Sequence, residues 1–401
     1  MTVPAAASAG NSAQFRRLAV LIATNFVDMM GFAIVLPLLP FYALELDASA
    51  VTVGIIIAAF SAAQIVSAPF WGRFSDRYGR RPALIAGLLA SAAAFVVFGL
   101  ANTLWLLLAS RVVQGLGGGT TGVAQAYVAD TVPPAQRARA LGWLSAATSA
   151  GIMLGPAIGS FAAAWGNAAP GFVAAGLCLL NAAFAWRWLP ESRERGTAPP
   201  RRPVWHAAWQ VIRTPAGAVP RLIWIYAVGM LAFSALTSVL ALFLEAEFGV
   251  DKRTIGFFFA YTGGLSLIMR SLLLGPIVDR LGEVWTMRAG TMVLILGFLL
   301  YPVPQSIWTL ALVIPFVPIG TALLFPSTTS LMSRSSDRAE YGTIMGVAQT
   351  FGGISRVVAP ILATAAFQEL GHAAPFLLGA AVVALVGLLA FRVTLPADPV
   401  G

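Results

Sequence analysis

Gly72-Arg73-Phe74-Ser75-Asp76-Arg77-Tyr78-Gly79-Arg80-Arg81-Pro82 sets five charges in eleven residues. The flanking stretches 51–71 and 83–110 carry no charge at all. A membrane-crossing helix needs roughly 20 apolar residues. Each flank is long enough to span, so the charged stretch between them belongs at a membrane surface. A positive-inside loop accounts for the four arginines. It does not account for the paired Gly72 and Gly79, or for Asp76 between them. The same Gly-x3-Asp-Arg-x-Gly spacing returns 203 residues later as Gly275-Pro276-Ile277-Val278-Asp279-Arg280-Leu281-Gly282.

The whole chain fits a polytopic membrane protein. It is 401 residues long, 58% hydrophobic and only 10% charged. About a dozen spans of roughly 20 residues would nearly fill it. The hydropathy pattern predicts an all-α membrane protein with spans at 18–44, 52–72, 82–101, 104–129, 141–164, 168–189, 222–246, 254–277, 284–303, 306–332, 342–367 and 373–393. Residues 1–17 read as a disordered tail without a cleaved signal sequence.

The net charge of +9 would suit a nucleic-acid binder, but its distribution does not. With both termini cytoplasmic, twenty of the twenty-five basic residues fall in cytoplasmic segments and helix ends. Lys252 and Arg253 are external, and Arg111, Arg270 and Arg356 lie within spans. That asymmetry orients the chain in a cell inner membrane and leaves no role for nucleic acid.

Enzyme chemistry has little to work with. The histidines are His206, in a linker, and His372, in an external loop, and the single cysteine, Cys178, sits in an apolar run. No metal-ligand cluster, nucleophile–base pair or cofactor motif is visible. Gly115–Gly119 is glycine-rich but lies inside a hydrophobic span, which excludes a phosphate cradle.

The opening stretch resembles the signature loop of the major facilitator superfamily, G-x-L-x-D-R-x-G-R-R, with Phe74 in place of its leucine. The second copy looks like that loop's degenerate repeat. Two further stretches follow in the family's order. Arg111-Val112-Val113-Gln114-Gly115-Leu116-Gly117 resembles its R-x-x-Q-G-x-G motif. Gly151-Ile152-Met153-Leu154-Gly155-Pro156-Ala157-Ile158-Gly159-Ser160 resembles the G-x3-G-P-x2-G-G motif of its antiporters, with Ser160 for the last glycine. Glycines at that spacing let helix backbones approach closely. The first span, with Asp28-Met29-Met30-Gly31 and Pro37-Leu38-Leu39-Pro40, is similar to that of tetracycline-type drug antiporters.

The resemblance implies twelve transmembrane helices in two six-helix pseudo-repeats, at 18–189 and 222–393. A cytoplasmic linker at 190–221 joins them, and a tail at 394–401 ends the chain. Internal echoes support the duplication: Asn167-Ala168-Ala169-Pro170 recurs as His372-Ala373-Ala374-Pro375, Leu189-Pro190 as Leu395-Pro396, and Pro156 as Pro360. Within the linker, 204–213 has the pattern of a short amphipathic surface helix.

A charge deep in a membrane costs at least about 2.5 kcal/mol, so it marks a functional candidate. Asp28 lies about three turns into its span and is the only carboxylate well inside one. The resemblance places Asp28 and Arg111 on the central cavity. Asp28 is then either the proton-coupling site, tuned by Arg111, or half of a static salt bridge to it. Arg270 and Arg356 are either functional or paired structurally with backbone carbonyls or a helix end.

The cavity lining implied is Asn25, Phe32, Gln64, Gln114, Gln125, Phe233, Ser234, Thr237, Phe325 and Thr328. Aromatic and sparsely polar, it suits a bulky amphipathic or cationic solute better than a sugar phosphate. The resemblance implies a monomeric, cofactor-free exporter that exchanges protons for small drug-like molecules. An exporter of an endogenous metabolite or lipid is the alternative, and a non-transporting receptor on the same fold is another. The best-known tetracycline exporters use a membrane histidine in the second half, where this chain offers only Ser266 or Arg270. The signature residues Gly72, Asp76, Arg77, Gly79 and Arg80 are expected to latch onto the start of the eleventh span, sharing Asp130. Asp279 and Arg280 repeat this against the fifth span.

Overall fold

In lipid every backbone N–H and C=O must find its partner within the chain, so apolar stretches between charged turns become helices. The computed structural model of this protein describes residues 5–192, 204–215, 217–335 and 341–393. The described residues are helices and connections, with no strand. In order they are α1 (Ala5–Val35), α2 (Leu39–Leu44), α3 (Ala50–Tyr78), α4 (Arg80–Gly99), α5 (Leu104–Gly117), α6 (Thr120–Thr131), α7 (Pro134–Ala163), α8 (Ala169–Trp188), α9 (Val204–Arg213), α10 (Ala218–Phe248), α11 (Ile255–Ile268), a π-helical turn (Met269–Leu273), α12 (Leu274–Leu300), α13 (Ile307–Val313), α14 (Phe316–Arg334), α15 (Tyr341–Leu370) and α16 (Ala374–Phe391). Among the described residues, ten helical runs are long and apolar enough to cross a membrane.

The difference from the expected twelve has two sources. Residues 255–300 form one continuous run rather than two spans, bent where Gly282 adopts φ 75° and ψ 162°. The fourth span is broken into α5 and α6. The tenth is also interrupted, between α13 and α14, at Ile314-Pro315. Pro315 has no N–H to continue the ladder.

Two further expectations are corrected at helix ends. The helix of the first span begins at Ala5, so 5–17 is not a disordered tail. The signature stretch is mostly helix rather than loop: α3 continues to Tyr78, and only Gly79, at φ 105°, departs from it. Nothing from Gly72 to Tyr78 requires a break, whereas a residue with a side chain is strained at that φ. Pro82 falls in the first turn of α4, as expected. The linker helix also matches its expected bounds, 204–213. The linker segment 193–203 and the tail 394–401 lie outside the described residues.

The chain divides into two compact units. The first comprises residues 1–46, 62–199 and 252–263, and the second residues 47–61, 200–251 and 264–401. In the first, α1 packs on α7 and α8, and α4 packs on α5 and α8. In the second, α10 packs on α15 and α16, and α12 packs on α14 and α16.

Each unit also holds one end of a helix against a proline-bearing partner. In the first, a Cβ on Gly256 of α11 would sit 2.3 Å from the Pro156 carbonyl oxygen, and the Gly256 N–H donates to Ser160 Oγ at 2.8 Å. In the second, a Cβ on Gly54 of α3 would sit 2.7 Å from the Pro360 carbonyl oxygen, and the neighbouring Val51 N–H donates to Gln368 Oε1 at 3.3 Å.

Candidate functional site

The break in the fourth span builds the site. Gly117, Gly118 and Gly119 each disfavour helix by about 1 kcal/mol relative to alanine, and α5 ends among them. Three side chains of α3 take up the carbonyls released there. Gln64 Nε2 donates to Gly118 O at 3.0 Å, Ser67 Oγ to Gly115 O at 3.1 Å, and Trp71 Nε1 to Leu116 O at 2.5 Å. A Cβ on Gly119 would lie 2.4 Å from the Trp71 ring, so the indole occupies the space a side chain would need.

The chain restarts as a helix at Thr120. A helix N-terminus carries partial positive charge and free N–H groups. Thr120 Oγ1 donates to Asp28 Oδ2 at 3.0 Å. Asp28 is 8% exposed and Thr120 6%. Together with Leu21, Thr24, Asn25, Leu84, Leu88 and Ala124 they line a cavity with room for roughly one water molecule. A carboxylate, a hydroxyl and a water-sized space lined by leucines can hold and pass a proton.

Arg111 does not join them. It is 1% exposed, and its Nε and Nη2 have no hydrogen-bond acceptor. Its guanidinium lies over the Phe98 ring, 5.4 Å from the centroid. Of the two readings of Asp28, the static salt bridge to Arg111 is absent among the described residues; a hydroxyl lies beside Asp28 instead.

The expected cavity residues divide evenly between the units. In the first, Asn25 Nδ2 donates to Thr148 Oγ1 at 2.7 Å and ties α1 to α7. Gln64 caps α5, as above. Gln114 is buried with its Oε1 unpartnered. Phe32 is half-buried and Gln125 exposed. In the second, Phe233 and Phe325 meet edge to face at 6.4 Å. Thr237 and Thr328 donate to carbonyls of their own helices, at 3.1 Å and 2.6 Å, and Ser234 contributes its carbonyl to Ser238 Oγ. Thr328 is fully buried.

The signature residues form the expected charge network. Arg80 Nη1 lies 2.7 Å from Asp76 Oδ1, and its Nε lies 2.8 Å from Asp130 Oδ2. Arg77 stays exposed with its guanidinium 5.4 Å from the Tyr78 ring centroid. Glu191 is the member that sequence reasoning missed. Its carboxylate accepts from the Arg80 N–H at 2.8 Å and the Arg81 N–H at 3.2 Å, capping α4. The available signal was an acid directly after the eighth helix, with an uncapped helix start elsewhere.

The second unit reverses the charges. Glu283, 203 residues after Arg80, accepts from Ser330 Oγ at 2.5 Å and lies 3.6 Å from Arg334, which follows Asp130 by 204 residues. Asp279 and Arg280 are exposed.

The antiporter-type glycines seat α7 directly on the α1 backbone. A Cβ at Gly151 would lie 2.5 Å from Phe26 O, at Gly155 2.6 Å from Met30 O, and at Gly159 2.2 Å from Ile34 O. Ser160, the departure from that motif, is the acceptor for the Gly256 N–H.

The family model for the Major Facilitator Superfamily matches residues 21–314 and again 222–401. The chain is 28% identical over 344 residues to the class B tetracycline resistance protein of Escherichia coli, covering 84% of this chain and 85% of that one. It is 29% identical over 379 residues to multidrug resistance protein 2 of Bacillus subtilis (strain 168), covering 92% of each. Among solved structures, the human organic anion transporter MFSD10 (TETRAN) aligns with a TM-score of 0.71 at 22% identity, over 94% of this chain and 99% of that one. A peptide transporter, POT, in complex with sulfate aligns with a TM-score of 0.78 at 14% identity, over 94% of both chains.

Proposed function

The chain belongs to the Major Facilitator Superfamily, and from that premise we propose that it is a proton-coupled exporter of small amphipathic, drug-like molecules working by alternating access. It is a multi-pass membrane transporter, not an enzyme. The finer reading has twelve spans in two six-helix bundles, with both termini on the cytoplasmic side of the inner membrane and the protein acting as a monomer. Its relatives named for tetracycline and multidrug resistance support drug export.

One observation carries the proton coupling: Asp28, buried in the first span and bonded to Thr120, borders a water-sized pocket lined mostly by apolar side chains. A carboxyl so placed can exchange a proton as the cavity is hydrated and closed. Arg111, without a carboxylate partner, shapes the same unit through Phe98. The Asp76–Arg80–Asp130 network latches the cytoplasmic ends in one of the two alternating states.

The test is transport in proteoliposomes. Asp28→Asn is expected to bind substrate and exchange it down a gradient, yet lose accumulation driven by a pH difference alone. Undiminished pH-driven accumulation in that variant would move the proton site elsewhere.

A further inference from the structure

Lys252, one of the two basic residues expected in external loops, is bound on three sides. Its Nζ donates to Glu45 Oε1 at 2.5 Å and to Asn167 Oδ1 at 2.7 Å. It also lies 5.9 Å from the Tyr42 ring centroid, within cation–π range. A primary ammonium has three N–H donors and no acceptor. A carboxylate, an amide carbonyl and an aromatic face are complementary to such a group.

The three walls hold one another without the lysine. Tyr42 lies in α2 and Glu45 is that helix's C-cap. The Tyr42 ring is buried and stacks on Phe98 at 5.2 Å, which fixes its plane. Asn167 belongs to the connection between α7 and α8. Its Nδ2 donates to Glu45 Oε2 at 2.5 Å. That brace leaves Glu45 Oε1 and Asn167 Oδ1 facing the ammonium.

The occupant comes from another part of the chain. Lys252 lies in the connection between α10 and α11, 207 positions after Glu45 and 85 after Asn167. All four residues belong to the first unit. The Lys252 side chain is 26% exposed and that of Glu45 41% exposed. Exposed ion pairs add little net stability, so this occupant is exchangeable, and a solute can reach the walls from water. A tethered group competes at an effective concentration of about millimolar. A free ammonium matches that when an apolar body adds contacts of its own.

We propose that Tyr42, Glu45 and Asn167 form a recognition site for a primary ammonium group, filled in this structure by Lys252 and taken by a cationic solute when the lysine leaves. The site shares no residue with the pocket beside Asp28. Only the origin of the solute, as cargo in transit, rests on the exporter reading.

Lys252→Ala vacates the site. The probes are phenethylammonium and its neutral counterpart, phenethyl alcohol, titrated calorimetrically into the purified full-length protein in detergent. Sodium chloride holds the ionic strength equal throughout, so that screening is the same in each titration. Phenethylammonium should bind Lys252→Ala about tenfold or more tightly than it binds the parent, with no such gain for the alcohol. Glu45→Gln added to Lys252→Ala should remove the gain. In thermal unfolding, phenethylammonium should raise the midpoint of Lys252→Ala more than that of the parent. Equal ammonium affinity in the parent and Lys252→Ala overturns the site, as does a gain that survives Glu45→Gln or that the alcohol matches. A Glu45-dependent gain without pH-driven movement of phenethylammonium in parent proteoliposomes leaves the site standing and takes the amine out of the exporter's cargo.

Discussion

Thr120 Oγ1 donates to Asp28 Oδ2 at 3.0 Å from the first residue of a helix that exists because the fourth span is broken. The break and the bond are therefore one device. Hydrogen bonds to charged groups contribute about 1.5–3 kcal/mol. Thr120→Val should slow pH-driven transport about tenfold or more, and Thr120→Ser should restore most of the rate. Proteoliposome uptake rates decide this, and equal rates in all three proteins would detach Thr120 from coupling.

The break itself depends on the Trp71 indole filling the space beside Gly119. Gly119→Ala should destabilise the protein by about 1–3 kcal/mol through overpacking. Shrinking the ring with Trp71→Leu should recover part of the loss, despite losing the indole bond to Leu116 O. Cys178, the single cysteine, is fully buried, so a thiol-reactive dye reports unfolding on heating. Additive losses in the double variant would show that the two positions do not share that space.

Glu191 supplies two N-terminal bonds to α4. Removing an N-cap costs about 1 kcal/mol. Glu191→Ala should lower the thermal midpoint in the same dye assay, and Glu191→Gln, which keeps one of the two acceptor oxygens, should lower it less. Midpoints equal to the parent's in both variants would mean that the carboxylate's bonds contribute nothing.

The charge-reversed pairs differ in burial. The Arg80 side chain is 6% exposed, whereas that of Arg334 is 51% exposed. Breaking a buried pair costs about 3–5 kcal/mol because it strands a charge, while exposed pairs contribute about 1 kcal/mol or less. Asp130→Asn should therefore destabilise the protein more than Glu283→Gln. Part of the full cost is spared because Asp76 still faces Arg80. The reverse order in thermal midpoints would contradict the burial argument.

What the sequence made legible followed from charge and spacing. The Gly-x3-Asp-Arg-x-Gly stretches, the lone arginines and the antiporter-type glycines all lie where their physical chemistry is local. The network of Arg80 with Asp76 and Asp130 could be read because its members sit at helix ends that the hydropathy pattern had already located. The misses arose where tertiary partners decide. Hydropathy cannot see that Gly117–Gly119 break a span, because the outcome depends on Gln64, Ser67 and Trp71 accepting the loose end. The resemblance put Arg111 on the same cavity as Asp28, yet the side chain bonded to Asp28 is a threonine. Glu191 bonds to residues more than a hundred positions away, so an acid after α8 points to the start of α4 only once the packing of α4 on α8 is known.

The first turns of α3 and α11 each take a cap from another helix: Gln368 accepts from the Val51 N–H, and Ser160 accepts from the Gly256 N–H. The first N–H groups of a helix have no partner within it, and an unsatisfied one in hydrocarbon costs several kcal/mol. The Gly256 bond is buried, so that helix end can leave its cap only where water arrives to replace the acceptor. Its parting is coupled to wetting, which gives the protein an osmotic handle: solutes excluded from protein surfaces, which strengthen effective burial, hold this end in place.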